Sequence, residues 1–323
     1  MASFPEPLKA RIPMPSFWAK ARSCVPRLPD WATKAIEPGR GLACTPEPGS
    51  TIAGQLLNPQ PVVKTQDNYG NDSVVGLPAA RVVSLALSGG GSLQGTTALD
   101  IGTSAGNGTV AFTNLRTTAV GDGKQITASA SGFSDGVSSV FRIVPDSALF
   151  FENFYRTNEP GTLTPWIVQG GNWSIAGGCL QGGTNPPLSY GIAWVTNSWS
   201  DYSVQAEFRF ASPGFGGGIG GRVNGATGAR YAAWVYPEGS AGGSNVLKLL
   251  KFQGWTSFSE MIQVAIPPVG TNWHSLKLAF QGSQIGVHLD GERFISMADP
   301  EAQPYLSGAI CLEHWTDGGG YRF

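Results

Sequence analysis

Residues 201–210 read DYSVQAEFRF, and this stretch sets the fold class. Apolar side chains occupy every second position, and polar or charged side chains occupy the positions between them. The apolar set is Tyr202, Val204, Ala206, Phe208 and Phe210, and the polar set is Ser203, Gln205, Glu207 and Arg209. Because successive residues of a strand point to opposite faces, the alternation predicts a β-strand with one buried and one polar face.

The same alternation recurs on both sides of this stretch. Downstream it is seen in IGGRVN at 219–224, RYAAWVYP at 230–237 and QIGVHLDG at 284–291. Upstream, between residues 42 and 144, short apolar runs broken by Gly, Asn, Asp and Ser predict about six or seven further strands. The sequence therefore predicts an all-β chain with two sandwiches, at 41–146 and 147–323, after an irregular, proline-rich N-terminal arm at 1–40.

The composition fits this architecture. The chain has 323 residues, of which 41% are apolar and 13% charged, with 45 glycines and a formal net charge of -1. This balance is typical of turn-rich β-structure with a polar, uncharged surface, and it argues against a nucleic-acid partner. No run of about 20 apolar residues occurs, so no membrane span is predicted. The basic first 23 residues lack the apolar core of a signal peptide.

A first resemblance covers residues 42 to 144. The segments PEPGSTIAGQLLNPQPVVKTQDNYGN, VSLALSGGGSLQGTT, GTVAFTNL and ITASASGFSDGVSSVFRI follow one another there, with a D-x-Y-G-N turn at Asp67 to Asn71. Together they resemble the bacterial immunoglobulin-like repeats of adhesins and large modular surface proteins. The resemblance implies an immunoglobulin-like β-sandwich that serves as a spacer and carries no catalysis.

A second resemblance covers residues 149 to 323. FFENFYRTNEPGTLTPWIVQGGNW, DYSVQAEFRF, GGIGGRVN, ARYAAWVY and WHSLKLAFQGSQIGVHLDGERF occur there in this order. They resemble the concanavalin A-like, laminin-G-like lectin domains of bacterial and phage proteins. The resemblance implies a jelly-roll sandwich that binds carbohydrate.

Similar domains commonly hold a structural calcium near the start of the first strand, and this chain has Glu152 and Asn153 at that place. One carboxylate and one amide oxygen suit a hard, oxygen-liganded cation. The resemblance therefore implies a calcium site at these two residues. The alternative is that they form a polar pair that caps the start of the strand.

The polar faces of the predicted strands indicate where a sugar would bind. Strand alternation places Trp234 on the same face as Arg222 and Glu207. An aromatic ring stacks on the C–H faces of a sugar, while Arg and Glu bind its hydroxyls. The predicted carbohydrate site is Glu207, Arg209, Arg222, Trp234, Tyr236 and Trp255. The alternative is that Trp234 packs under a loop.

Catalysis and a disulfide are weaker hypotheses. Retaining glucanases place paired acids at alternate positions of one strand, and no E-x-D-x-x-E sequence occurs here. We therefore predict no enzyme. Cys179 and Cys311 each precede a leucine, so both would point away from that leucine in alternating strands. The geometry allows a disulfide between them if their strands are neighbours.

These observations predict a modular adhesion protein at the cell surface or outside the cell, with a glycan or polysaccharide as its partner. The main alternative is a phage virion structural or decoration protein assembled by protein contacts, which the lack of a signal peptide favours. A polysaccharide-active enzyme is the third hypothesis.

Overall fold

The described part of the chain consists of strands joined by turns and irregular loops. The computed structural model describes residues 41–103, 107–182, 190–210 and 216–315, together with the backbone of 319–322. These residues fall within one compact unit, Pro38–Phe323. The irregular arm predicted for residues 1–40 lies outside them. None of the described residues is helical, and no helix among them has the length and apolarity needed to cross a membrane.

Two sheets carry the strands of the first half. One has the order β1-β3-β6, and the other has the order β2-β9-β7-β4-β5 with β8 beside β7. The strands are β1 Gly41–Cys44, β2 Thr51–Ile52, β3 Val62–Gln66, β4 Val82–Ser88, β5 Ala98–Asp100, β6 Thr109–Ala111, β7 Gly121–Ser129, β8 Gly136–Val137 and β9 Phe141–Val144. One core cluster joins them, with Leu42 and Val63 from one sheet packed with Ile126 and Phe141 from the other. The immunoglobulin-like assignment of this sandwich remains a prediction.

The second half forms two antiparallel sheets of seven strands each. Their strands are β10 Ile167–Gly170, β11 Trp173–Ala176, β12 Cys179–Gly182, β13 Tyr190–Trp194, β14 Ser203–Phe210, β15 Gly217–Val223, β16 Arg230–Tyr236, β17 Val246–Phe252, β18 Phe258–Ala265, β19 His274–Gln281, β20 Gln284–Leu289, β21 Glu292–Ala298, β22 Ala309–Trp315 and β23 Gly319–Arg322. We call β10-β13-β22-β15-β16-β17-β18 the Trp234 sheet and β11-β12-β23-β14-β19-β20-β21 the Glu207 sheet, each after a residue that it carries.

The inner faces of these two sheets build the main core. Ile219 and Leu249 of the Trp234 sheet pack in one cluster with Phe208, Leu276 and Val287 of the Glu207 sheet. Strand β14 shows the predicted alternation, because its apolar residues are buried and its polar residues are exposed or half-buried. The predicted all-β fold with a jelly-roll type sandwich is therefore confirmed.

The domain bounds 41–146 and 147–323 remain predictions. The strands of the first sandwich end at Val144, and the strands of the second begin at Ile167. The connection between them contains Glu152 and Asn153, the two residues predicted to bind calcium.

The structure does not form the disulfide that the sequence allowed. Cys179 lies on β12 of the Glu207 sheet, whereas Cys311 lies on β22 of the Trp234 sheet. Their strands are not neighbours, which was the condition for the bond. The Cys311 thiol instead donates a hydrogen bond to Glu313 Oε1 over 3.0 Å.

Candidate functional site

The outer face of the Trp234 sheet holds the aromatic side chains of Trp234 and Tyr236, two of the six residues that the sequence placed in a binding site. Tyr231, Ala233 and Val235 of β16 point into the main core. The residues between them point outward, yet every residue of β16 is buried. A second apolar cluster covers this outer face, formed by Ala232, Trp234, Tyr236, Val246, Leu250 and Phe252 with Tyr190 and Trp315 packed on it. Alternation therefore predicted the faces of β16 correctly but not their exposure.

A charged pair lies under these rings. Glu313 is fully buried and accepts hydrogen bonds from Arg230 Nε and, over 2.6 Å, from Trp234 Nε1. The Arg230 guanidinium also lies 3.7 Å from the centre of the Phe252 ring. Burial lowers the pKa of Arg230, but the adjacent Glu313 carboxylate outweighs burial and raises that pKa above its ordinary value. Arg230 is therefore held in its charged form, and removing Glu313 would leave that buried charge without its partner.

Glycine in β15 leaves the room that this pair occupies. A Cβ atom on Gly220 would collide with Cys311 Sγ and lie 3.0 Å from Glu313 Oε1. The outer face of β15 is thus free of side chains at this point, and Glu313 and Cys311 fill the space from the adjacent strand β22. We call Glu313, Arg230 and Trp234 the buried floor of the site.

Five partly exposed aromatic rings stand around and above this floor, and we call them the ring rim: Tyr190, Trp194, Trp255, Phe258 and Trp315. The Tyr190 ring lies 4.8 Å from Trp315, 5.6 Å from Trp234 and 6.4 Å from Phe258, measured between ring centres. Trp194 and Trp255 form a second group, 6.0 Å apart. Burial, followed by the charge of Glu313, raises the pKa of Tyr190 to about 12, so its hydroxyl is neutral at physiological pH.

The predicted carbohydrate residues do not meet in one patch. Trp234 and Tyr236 belong to the buried outer face of the Trp234 sheet, and Trp255 belongs to the ring rim. Glu207 and Arg209 lie on β14, in the other sheet. The prediction that Glu207 shares a face with Trp234 is therefore wrong, because β14 pairs with β19 and β23 and not with β15 or β16.

Glu207 and Arg209 have other partners on the outer face of their own sheet. A Glu207 carboxylate oxygen lies 3.6 Å from the Arg142 guanidinium of the first sandwich. The Arg209 guanidinium lies 5.0 Å from the centre of the Trp273 ring. Glu207 thus has its ion pair with Arg142 and not with Arg209.

Arg222 also departs from its predicted place. A β-bulge between Gly221 and Val223 adds a residue to β15, and Arg222 adopts a φ of 55° there. The bulge reverses the alternation, so Arg222 points toward the main core and Val223 toward the outer face. The Arg222 guanidinium lies 4.6 Å from the centre of the Phe280 ring, and its Nη1 donates to Gly282 O and Tyr305 O, each over 2.7 Å. It is a buried structural cation and is not part of a sugar-binding face.

Sequence analysis missed Glu313 and Arg230 of the buried floor, and it missed Tyr190, Trp194, Phe258 and Trp315 of the ring rim. The local signal for Glu313 was an acidic residue within the apolar run AICLEHW, at a position that alternates with Leu312. Tyr190, Phe258 and Trp315 each lie at the end of a strand, where alternation is shortest and least informative.

Glu152 and Asn153 engage protein groups in place of a cation. Both Glu152 carboxylate oxygens accept hydrogen bonds from the Arg156 guanidinium, at 3.1 and 3.0 Å, and Oε1 also accepts one from the Phe154 backbone. Asn153 Nδ2 donates to Ser50 O and Asn58 O of the first sandwich. Within the described ranges, no three His, Cys, Asp or Glu side chains converge as a metal site would require. These contacts do not fit a calcium site, and the predicted ion stays a prediction.

No family model and no curated protein matches this sequence. Several solved structures are similar at low identity. The carbohydrate-binding module CBM66 from Bacillus subtilis is 18% identical with a TM-score of 0.42, over 49% of this chain and 91% of that chain. A protein of unknown function with a galectin-like fold from Bacillus subtilis is 11% identical with a TM-score of 0.43, and the match covers 54% of this chain and 92% of that chain. SCLam, a non-specific endo-β-1,3(4)-glucanase from family GH16, is 10% identical with a TM-score of 0.40, and the match covers 54% of this chain and 86% of that chain.

Proposed function

We propose that this protein binds carbohydrate through the ring rim on the outer face of the Trp234 sheet. The observation that carries the proposal is that five partly exposed aromatic rings stand over a fully paired, buried floor. Aromatic rings stack on the C–H faces of sugars, and polar groups at their edges bind hydroxyls. Because Tyr190 is held against Trp234 and Trp315, little side-chain freedom is lost when a sugar stacks on this group.

The floor supports binding better than it supports catalysis. Glu313 Oε1 accepts from Arg230 and Cys311, and Oε2 accepts from Trp234. A general acid or base must come within hydrogen-bond reach of the substrate, and this carboxylate is fully buried with its oxygens already engaged. We therefore propose a non-enzymatic role for this face.

The proposed partner is a glycan or polysaccharide, and the proposed location is outside the cell or at its surface, with the first sandwich as a spacer. The alternative role, in a virion assembled by protein contacts, makes a different prediction. In that case the parent protein would bind no glycan, and ring-rim variants would change assembly.

Removal of single rim rings tests the proposal. Phe258, which is 41% exposed, and Trp315 are each replaced by Ala, and binding is measured on a glycan array and then by calorimetry with the best ligand. Loss of one stacking contact should weaken binding about three- to tenfold. The control is Tyr69→Ala, which removes a ring that is 92% exposed in the first sandwich and should leave affinity unchanged. The proposal fails if the protein binds no glycan on the array, or if both rim variants bind the glycan as tightly as the parent does.

A further inference from the structure

The outer face of the Glu207 sheet carries a row of hydrogen-bond donors that crosses four adjacent strands. Gln205 on β14 lies opposite Lys277 on β19, Lys277 lies opposite His288 on β20, and His288 lies opposite Arg293 on β21. All four side chains are exposed or half-buried, and on β14, β19 and β20 the neighbours of Gln205, Lys277 and His288 along the strand form the inner, buried face. We call these four residues the donor row.

The donor row is not neutralised by nearby acids. Among the residues that the structure describes, no ion pair involves Lys277, His288 or Arg293. Gln205 Nε2 donates to Ser275 Oγ over 2.9 Å, which orients the amide on this face. The acid on the same face of β14 is Glu207, and it faces Arg142. The face therefore has an excess of positive charge although the whole chain has a net charge of -1.

A shallow trough runs beside the donor row. The next row of outward-facing residues across the same strands contains only small side chains, in the order Ser203, Ala279, Gly286 and Ser296. A Cβ atom on Gly286 would have its nearest neighbour, His288 Nε2, at 3.7 Å, so a Cβ there would make ordinary van der Waals contacts and collide with nothing. Strands lie about 4.8 Å apart, so the backbones of Lys277 and Arg293, two strands apart, are separated by roughly 10 Å across the sheet.

We propose that this face binds an extended acidic polysaccharide, which lies in the trough with its carboxylate or sulfate groups against the donor row. Positive charges spaced along a straight line match a polymer whose negative charges repeat along its length. Lys277 and Arg293 supply the charge, while Gln205 and His288 supply donors between and beside them. This site is on the opposite sheet from the ring rim and does not depend on it.

Charge-removing variants test the proposal. Lys277→Gln and Arg293→Gln are titrated with heparin as the sulfated probe, polygalacturonate as the uronate probe and dextran as the neutral probe. Each variant should bind the acidic probes about three- to tenfold more weakly, and binding by the parent should weaken as salt is raised from 50 to about 500 mM because salt screens exposed charges. The matched control is Lys64→Gln, which removes the same charge from the surface of the first sandwich and should leave affinity unchanged.

The trough is tested separately. Gly286→Gln adds a side chain to the trough on the outer face, beside His288, and it should also weaken binding of the acidic probes while the melting temperature stays within a few degrees. Binding of heparin alone would identify sulfate as the recognised group, and binding of polygalacturonate alone would identify carboxylate. The proposal is overturned if neither acidic probe binds, if the Lys64 control loses as much affinity as the Lys277 variant, or if a DNA oligonucleotide of equal charge binds as well as the polysaccharides.

Discussion

Replacement of Trp234 by alanine distinguishes two interpretations of this residue, one in which it is part of the buried floor and one in which its exposed ring stacks on a sugar. The sequence-based hypothesis, in which the indole stacks on a sugar, requires the variant to fold normally and to lose affinity. In the structure the indole is fully buried, its ring centre lies 5.6 Å from Tyr190 and 5.8 Å from Tyr236, and its Nε1 donates to Glu313. We therefore expect Trp234→Ala to act on the free energy of unfolding.

The expected loss follows from two contributions. Replacing a buried aromatic side chain by Ala costs about 3–5 kcal/mol, because apolar contacts are lost and a cavity remains. Leaving a buried carboxylate oxygen without its donor costs about a further 1–3 kcal/mol. Trp234→Phe keeps most of the ring and loses the donor, so it should cost about 1–3 kcal/mol. Because domains are stable by only about 5–15 kcal/mol, the alanine variant should lose much of its stability.

Denaturant unfolding followed by tryptophan fluorescence measures this loss in the correct sandwich. None of the ten tryptophans lies between residues 41 and 146, and eight of them lie in the second sandwich. The matched control is Trp273→Ala, which removes the half-buried ring next to Arg209 and should cost only about 1 kcal/mol. A loss below about 1 kcal/mol for Trp234→Ala, with weaker glycan binding, would refute the buried-floor interpretation and restore the stacking hypothesis.

Three further predictions address the charged pair, the acid stability and the calcium site. Gly220→Ala should destabilise the second sandwich by about 1–3 kcal/mol, because its Cβ would collide with a buried thiol. Gly286→Ala should be near neutral, because its Cβ would meet only ordinary van der Waals contacts, and denaturant unfolding compares the two variants. Burial lowers the pKa of His314 to about 4, so the unfolded chain binds a proton at this residue more tightly than the folded chain does. The free energy of unfolding should therefore fall by about 3 kcal/mol as the pH drops from about 6.5 to 4. His314→Gln should flatten this dependence of the free energy of unfolding on pH, and an unchanged dependence would contradict the prediction. Because Arg156 occupies both carboxylate oxygens of Glu152, millimolar calcium should leave the melting temperature unchanged; a rise that Glu152→Gln abolishes would instead support the predicted ion.

Strand alternation carried most of the correct predictions. In DYSVQAEFRF and RYAAWVYP it identified which side chains share a face, and the structure has the same division on β14 and β16. The all-β class also followed from the sequence, because a period of two is a local property of a strand and does not depend on its partners.

Sheet membership was decided by the tertiary structure. Glu207 and Trp234 belong to strands with similar alternation, but the pairing of β14 with β19 and of β16 with β15 and β17 puts them on different sheets. Pairing between strands depends on contacts between residues that are distant in the chain, and a period of two contains no information about them. For the same reason, the burial of both faces of β16 could not be read from its own residues.

One residue can also reverse a local pattern. The bulge at Arg222 turns an outward position inward, and this cation then binds carbonyl groups of residues 282 and 305, far along the chain. Likewise, an acidic residue in the run AICLEHW becomes the centre of a site only because Arg230 and Trp234 lie close enough in space to donate to it. The sequence determines which faces and charges are available to this fold, and the long-range packing of its strands determines which of them meet.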